Sequence, residues 1–126
     1  MLVRKATEAD LPEYIKLAQA FHAASPMHGS IGFDVPGYSQ FYLSSLQNDS
    51  VGIWLAEIEK EVVGICGALV YPLYFNPSAL VVQELWWWLT PASRGSGAGG
   101  QMFKQIEQWA KDKDASALFM IALEDN

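Results

Sequence analysis

Near the start of the chain the apolar residues Leu11, Ile15, Leu17, Ala18 and Phe21 recur at three- and four-residue spacing. That is the period of one helix face, and it predicts a helix over 11–21. Thr7 stands ahead of it with Asp10 three residues on, an approximate capping box, and Leu2 to Lys5 reads as a short strand. The segment SPMHGSIGFDVPG (25–37) is rich in Gly, Pro and Ser, which is loop chemistry, and a second helix is expected over 38–47. After the turn signal Asn48-Asp49-Ser50 the pattern changes to strands. Two are expected, over 51–58 and 62–71, joined by the polar turn Glu59-Lys60-Glu61. PLYFNPS reads as a loop leading to a third long strand over 79–89. A helix follows from about 99 to 113, with Met102, Phe103, Ile106, Trp109 and Ala110 on one face, and a last strand over 116–123. The order βααβββαβ predicts one α/β (α+β) domain, residues 1–126, built on a single sheet.

Composition narrows the class. A chain of 126 residues suits one domain, and at this size about two-thirds of the unfolded surface is buried on folding. With 51% hydrophobic and 17% charged residues the sequence argues against disorder. No apolar run reaches the ~18–20 residues of a membrane span. MLVRKATEADLPEY carries no apolar core of a signal peptide, so none is expected. The single cysteine, Cys66, leaves no internal disulfide to form and fits a reducing, cytoplasmic setting; within VVGICGALV it reads as core filler. Net charge is -6, from 8 basic and 14 acidic side chains, with no Lys/Arg stripe. That argues against nucleic acid as a partner, and leans toward a cationic one.

One stretch is left unexplained by the core. Between VVQELWWWLTP and the last helix stands Arg94-Gly95-Ser96-Gly97-Ala98-Gly99-Gly100. A helix entered from a glycine-rich turn offers unpaired N–H groups and a positive dipole end to an anion. A P-loop would need Gly-Lys-Ser/Thr, which is absent. A dinucleotide fingerprint belongs after the first strand of a βαβ unit, and this loop follows the fourth.

In that position Arg94-x-x-Gly97-x-Gly99 resembles the Arg/Gln-x-x-Gly-x-Gly/Ala motif of the GNAT superfamily of N-acetyltransferases. WWWLTP resembles the family's strand end before it, and VRKATEADLPEYIKLA its first strand and helix. The resemblance spans essentially the whole chain, in a short, phage-like form. It implies a mixed, mostly antiparallel sheet of about five strands with three flanking helices. It also implies acetyl-CoA as cosubstrate, with no metal. The backbone from Arg94 through Gly95, Ser96, Gly97, Ala98, Gly99 and Gly100 would hold the pyrophosphate, and Leu89 would give a strand amide to the pantetheine arm.

Acetyl transfer needs a neutral amine, whereas a free alkylamine has a pKa near ~10.4. Glu84, in the middle of an apolar strand, is the candidate base, with Gln83 a poor alternative. Strict alternation would place Glu84 on the same face as Trp86 and Trp88. The other reading of Glu84 is a carboxylate paired for structural reasons. The resemblance also implies a Tyr acid after strand five, and no Tyr stands there. His28, Tyr38, Tyr74 and Trp86 are candidate acceptor-site residues. The acceptor is expected to be a small-molecule or protein amine, with no nucleic acid and no membrane involved. The family usually continues with a further helix and two strands. SALFMIAL is apolar on both faces, so a second copy or another protein is expected to cover it in a homo-oligomer or complex. The alternative is a catalytically weak GNAT-fold binding module.

Overall fold

The computed structural model describes residues 1–121. Five strands form one sheet in the order β1-β2-β3-β4-β5. They are β1 (Leu2–Lys5), β2 (Val51–Ile58), β3 (Glu61–Leu73), β4 (Asn76–Leu89) and β5 (Ala117–Phe119). The first four pair antiparallel, and β5 lies parallel to β4. Three α-helices flank them: α1 (Leu11–Ala24), α2 (Val35–Ser45) and α3 (Ala98–Asp112). The mixed sheet and the three helices are those expected from the sequence.

Period-2 alternation in β2 builds the two layers. Ile53 and Leu55 pack with Tyr14, Leu17, Ala18 and Tyr42 of α1 and α2. Trp54 and Ala56, pointing the other way, pack with Met102, Ile106 and Trp109 of α3. Met102 and Ile106 are wholly buried; burying one such side chain stabilises by about 1.5–3 kcal/mol. The edge of the first layer is tied by Arg4. It donates to Asp10 at 2.7 and 2.8 Å and to Glu57 at 2.5 Å, joining β1, β2 and the 3-10 turn ahead of α1. Asp10 closes the capping box on Thr7, and the Arg4 hydrogen bond lowers its carboxyl to about 2.

Four boundaries differ from the sequence reading. α2 covers Val35–Ser45 rather than 38–47, because Asp34 caps it by accepting Gly37 N–H and Pro36 fits the first turn. The β2–β3 turn needs only Glu59 and Lys60, which take left-handed φ of 52° and 68°, as a two-residue hairpin turn requires. PLYFNPS is not a loop: β3 runs to Leu73 and β4 starts at Asn76, leaving Tyr74 and Phe75 at a hairpin tip. A register shift between Pro72 and Leu73 accommodates the prolines there. The last strand is shorter, Ala117–Phe119, with Phe119, Met120 and Ile121 each at least 40% exposed. The remainder of the expected strand, 122–123, lies outside the described residues.

Candidate active site along the open edge of β4

β5 pairs with β4 only from Val81 to Gln83. Beyond Gln83 the two strands part, and among the described residues the flank of β4 from Glu84 to Leu89 has no strand partner. Thr90 N–H donates to Val63 O at 2.8 Å, which makes Leu89 the non-bonded partner of Gly64 in the alternating ladder. The N–H and C=O of Leu89 therefore face the opened side. Its carbonyl accepts from Arg94 Nε and Nη2 at 3.3 and 3.2 Å, with the guanidinium 5.8 Å from the Trp88 ring.

The glycine loop forms the start of α3. Gly97 is the N-cap, in the left-handed region at φ 91°, and Gly95 shares that region at φ 85°. A side chain at either position would be strained. Among the described residues the amides of Gly95, Gly97, Gly99 and Gly100 meet no acceptor, whereas Ala98 N–H bonds Ser96 Oγ at 3.3 Å. Trp87 Nε1 donates to Gly99 O at 3.1 Å and seats this first helical turn on β4. Between them Trp87, Trp88, Leu89, Arg94 and Gly99 line a cleft of about 310 Å³. Backbone donors at a helix N-terminus beside a free strand edge suit a phosphate-bearing cofactor lying along that edge.

Glu84 sits farther along the same edge, and here alternation fails. The register shifts between Gly67 and Ala68: Trp86 stands opposite Gly67, but Glu84 stands opposite Ala68, leaving Leu85 as the extra residue of a bulge. Ala68 belongs to the α3 layer and Trp86 to the α1–α2 layer. Glu84 is thus not on the face of Trp86 and Trp88, as strict alternation predicts. The bulge turns it to the α3 side. It is 5% exposed, and its Oε2 accepts from Ile121 N–H at 3.0 Å. Burial raises its pKa above the ordinary glutamate range, with the Ile121 amide opposing. The carboxyl lines a cavity of about 410 Å³ together with Phe21, Met27, Trp86, Trp87 and Ile121. Cys66, fully buried in the α3 layer, has its thiol pushed up by desolvation and then by the Glu84 charge, so it is a neutral core residue.

A larger cavity, about 550 Å³, opens between α1, the loop after it and α2. It shares Phe21, Met27 and Trp86 with the Glu84 cavity, so the two adjoin. Tyr38 lines it, and the Tyr38 hydroxyl meets that of Tyr14 at 2.6 Å. Burial pushes Tyr38 up to about 12, against the opposing Tyr14 hydrogen bond. Trp86 forms the common wall, and its indole N–H finds no acceptor among the described residues.

Two expected acceptor-site residues are not brought here. Tyr74 is 92% exposed at the β3–β4 tip and lines none of these cavities, because the hairpin carries it away from the bulge. His28 is exposed and packs edge-on against His22 at 5.3 Å, outside the cavity lining. Sequence reasoning missed Phe21, Phe33, Asp34 and Phe41, which line the larger cavity. Their spacing carried no signal beyond helix and loop periodicity.

A helix N-terminus with free glycine amides, an opened strand edge and a mixed five-stranded sheet stand together in one domain. The model of the Acetyltransferase (GNAT) family matches residues 13–126, and the chain belongs to that family. It is an N-acetyltransferase, and the family it belongs to uses acetyl-CoA. No curated protein sequence matches it. Among solved structures, aminoglycoside 6'-N-acetyltransferase of Acinetobacter haemolyticus is similar at TM-score 0.80 and 20% identity, over 100% of this chain and 82% of that one. A predicted acetyltransferase of Clostridium acetobutylicum, solved with acetyl-CoA, is similar at TM-score 0.77 and 19% identity, covering 98% and 81%. Ribosomal-protein-alanine N-acetyltransferase of Brucella melitensis gives TM-score 0.74 and 16% identity, covering 97% and 80%. At these identities the likeness is one of fold. Among the described residues no helix is long and apolar enough to cross a membrane, and no group of three or more His, Cys, Asp or Glu is placed to hold a metal.

Proposed function

We propose that the protein transfers the acetyl group of acetyl-CoA to a primary amine that enters through the α1–α2 cavity, with Glu84 as the general base. The observation that carries this is the position of Glu84. It is a buried carboxyl of raised pKa in a cavity that shares Phe21, Met27 and Trp86 with the α1–α2 cavity and Trp87 with the cleft at Leu89. In this reading the pyrophosphate lies on the Gly95–Gly100 amides and the pantetheine arm follows the free edge of β4 at Leu89. The amine nitrogen attacks the thioester carbonyl carbon, its proton passes to Glu84 directly or through a water, and the carbon–sulfur bond breaks to release CoA thiolate. A thiol with pKa near ~8.5 leaves without a protein acid and takes its proton from solvent.

The test is Glu84→Gln. A general base contributes typically 10²–10⁴-fold, so the expected result is a kcat fall of about that size with acetyl-CoA affinity unchanged. The wild-type kcat/KM should rise with pH through an ionisation above the ordinary glutamate range, and the variant should lose that limb. Unchanged turnover would remove Glu84 from the mechanism. Acetyl-CoA binding without amine-dependent thiol release would instead favour a GNAT-fold binding module.

A further inference from the structure

The walls of the α1–α2 cavity point to the kind of amine it takes, given the reading of that cavity as the acceptor site. Six aromatic side chains line it: Phe21, Phe33, Tyr38, Phe41 and Trp86, with the imidazole of His22 beside Phe33 at 5.6 Å. Four of them form one continuous surface, with ring centroids 5.5 Å apart for Phe33 and Tyr38, 6.1 Å for Tyr38 and Phe41, and 6.3 Å for Phe41 and Trp86. The mouth is apolar too. Met27 and Phe41, both in the lining, are 42% and 45% exposed, and Ile31 in the same loop is 57% exposed. The fold itself does not bury these side chains.

Charge is scarce by contrast. Asp34 is the one carboxylate in that lining, and its Oδ1 already accepts Gly37 N–H at 3.0 Å as the cap of α2. The next acid is Glu84, reached past the shared wall of Phe21, Met27 and Trp86. A polycation entering here would strip water from several ammonium groups and find carboxylates for few of them. A body with rings would gain apolar burial and ring contacts on every wall, while one ammonium group is attracted by aromatic faces on its way to Glu84. At about 550 Å³ the cavity lies within the range of small-molecule sites.

We propose that the acceptor is an arylalkyl monoamine: one primary amine on a short arm, attached to an aromatic body that fills the α1–α2 cavity. The amine points at Glu84 and the rings stay between α1 and α2.

The experiment follows thiol release from acetyl-CoA by the full chain with tryptamine, phenethylamine, spermidine and kanamycin. Acetyl-CoA binding is measured alongside by calorimetry. Tryptamine and phenethylamine should show kcat/KM at least about 100-fold above spermidine and kanamycin. Phe41→Ala, at a half-exposed ring, should raise KM for tryptamine about tenfold with kcat and acetyl-CoA affinity unchanged, the mark of lost ground-state binding. Faster turnover of spermidine or kanamycin overturns this inference and leaves acetyl transfer standing. Thiol release with none of the four amines, while acetyl-CoA binds, overturns both.

Discussion

At its far end β4 meets a site made of backbone. There the glycine amides of 95–100 and the outward-facing Leu89 amide are the donors, and side chains contribute little beyond Arg94. Half a strand away, at the bulge, β4 meets a site made of side chains. Rings from α1, the following loop, α2 and Trp86 surround the α1–α2 cavity, and a single buried carboxyl lines the neighbouring cavity, which shares Trp87 with the cleft at Leu89. Under the proposed function, the difference follows from what each site would bind. A pyrophosphate is the same whatever the acceptor, so fixed backbone donors serve it and only the backbone conformation matters. An acceptor is distinguished by its shape and charge, which side chains alone can read.

The largest effect that separates the two regions belongs to Gly97. A valine at φ 91° is strained whatever the space around it, and such a residue costs about 1–3 kcal/mol. The variant relieves this by opening the loop when empty, so the cost falls on ligand binding. Acetyl-CoA affinity should drop roughly tenfold to a hundredfold by calorimetry, while preference among amines stays as it was. Gly100→Ala is the control: a Cβ there meets nothing within 4 Å, and affinity should hold within about twofold. Equal loss at both positions, or at neither, would break the division between a conformational site and a side-chain site.

The same division explains what could be read from the sequence. The glycine loop was legible because its information is local: residues that permit left-handed φ, placed between a strand and an amphipathic helix. The α3 face was legible too, since Met102, Ile106 and Trp109 repeat at helical spacing and all face the sheet. The orientation of Glu84 was not. Alternation assumes a period of 2, and one extra residue at Leu85 reverses every assignment N-terminal to it relative to Trp86. Nothing in VVQELWWWL marks where the bulge falls. The strand content of PLYFNPS was hidden for a related reason, because Pro and Asn are turn residues unless a partner strand absorbs them. The α1–α2 cavity was least legible of all, since its walls come from segments that only the tertiary fold brings together.

A smaller effect sharpens the comparison from the acceptor side. A Cβ at Gly67 would collide with the Trp86 indole across the β3–β4 ladder, so Gly67→Ala must move the wall shared by the two cavities. Overpacking of this kind costs typically about 1–3 kcal/mol in stability. KM for the acceptor should change about tenfold as the indole shifts, while acetyl-CoA affinity stays within about twofold. If acetyl-CoA binding is lost instead, the two regions are mechanically one site.

The smallest effect concerns the boundary between them. The Glu84 pKa is raised by burial, with the Ile121 amide pulling the other way. For an acid whose folded value lies above its unfolded one, the folded state favours the protonated form. That contribution is fully present below the unfolded value near ~4.3 and is lost as pH rises through the folded one. At pH 8 the ionised carboxylate therefore works against the fold. Glu84→Gln is neutral at every pH and its amide oxygen can still accept Ile121 N–H. The variant should melt a few degrees higher than wild type at pH 8, with the gap closing as the pH falls toward 4. Greater stability joined to lost turnover is the behaviour of a residue kept for chemistry. A variant that melts lower at pH 8 would mean that the bond to Ile121 outweighs desolvation, which is how a carboxylate held for structural reasons behaves.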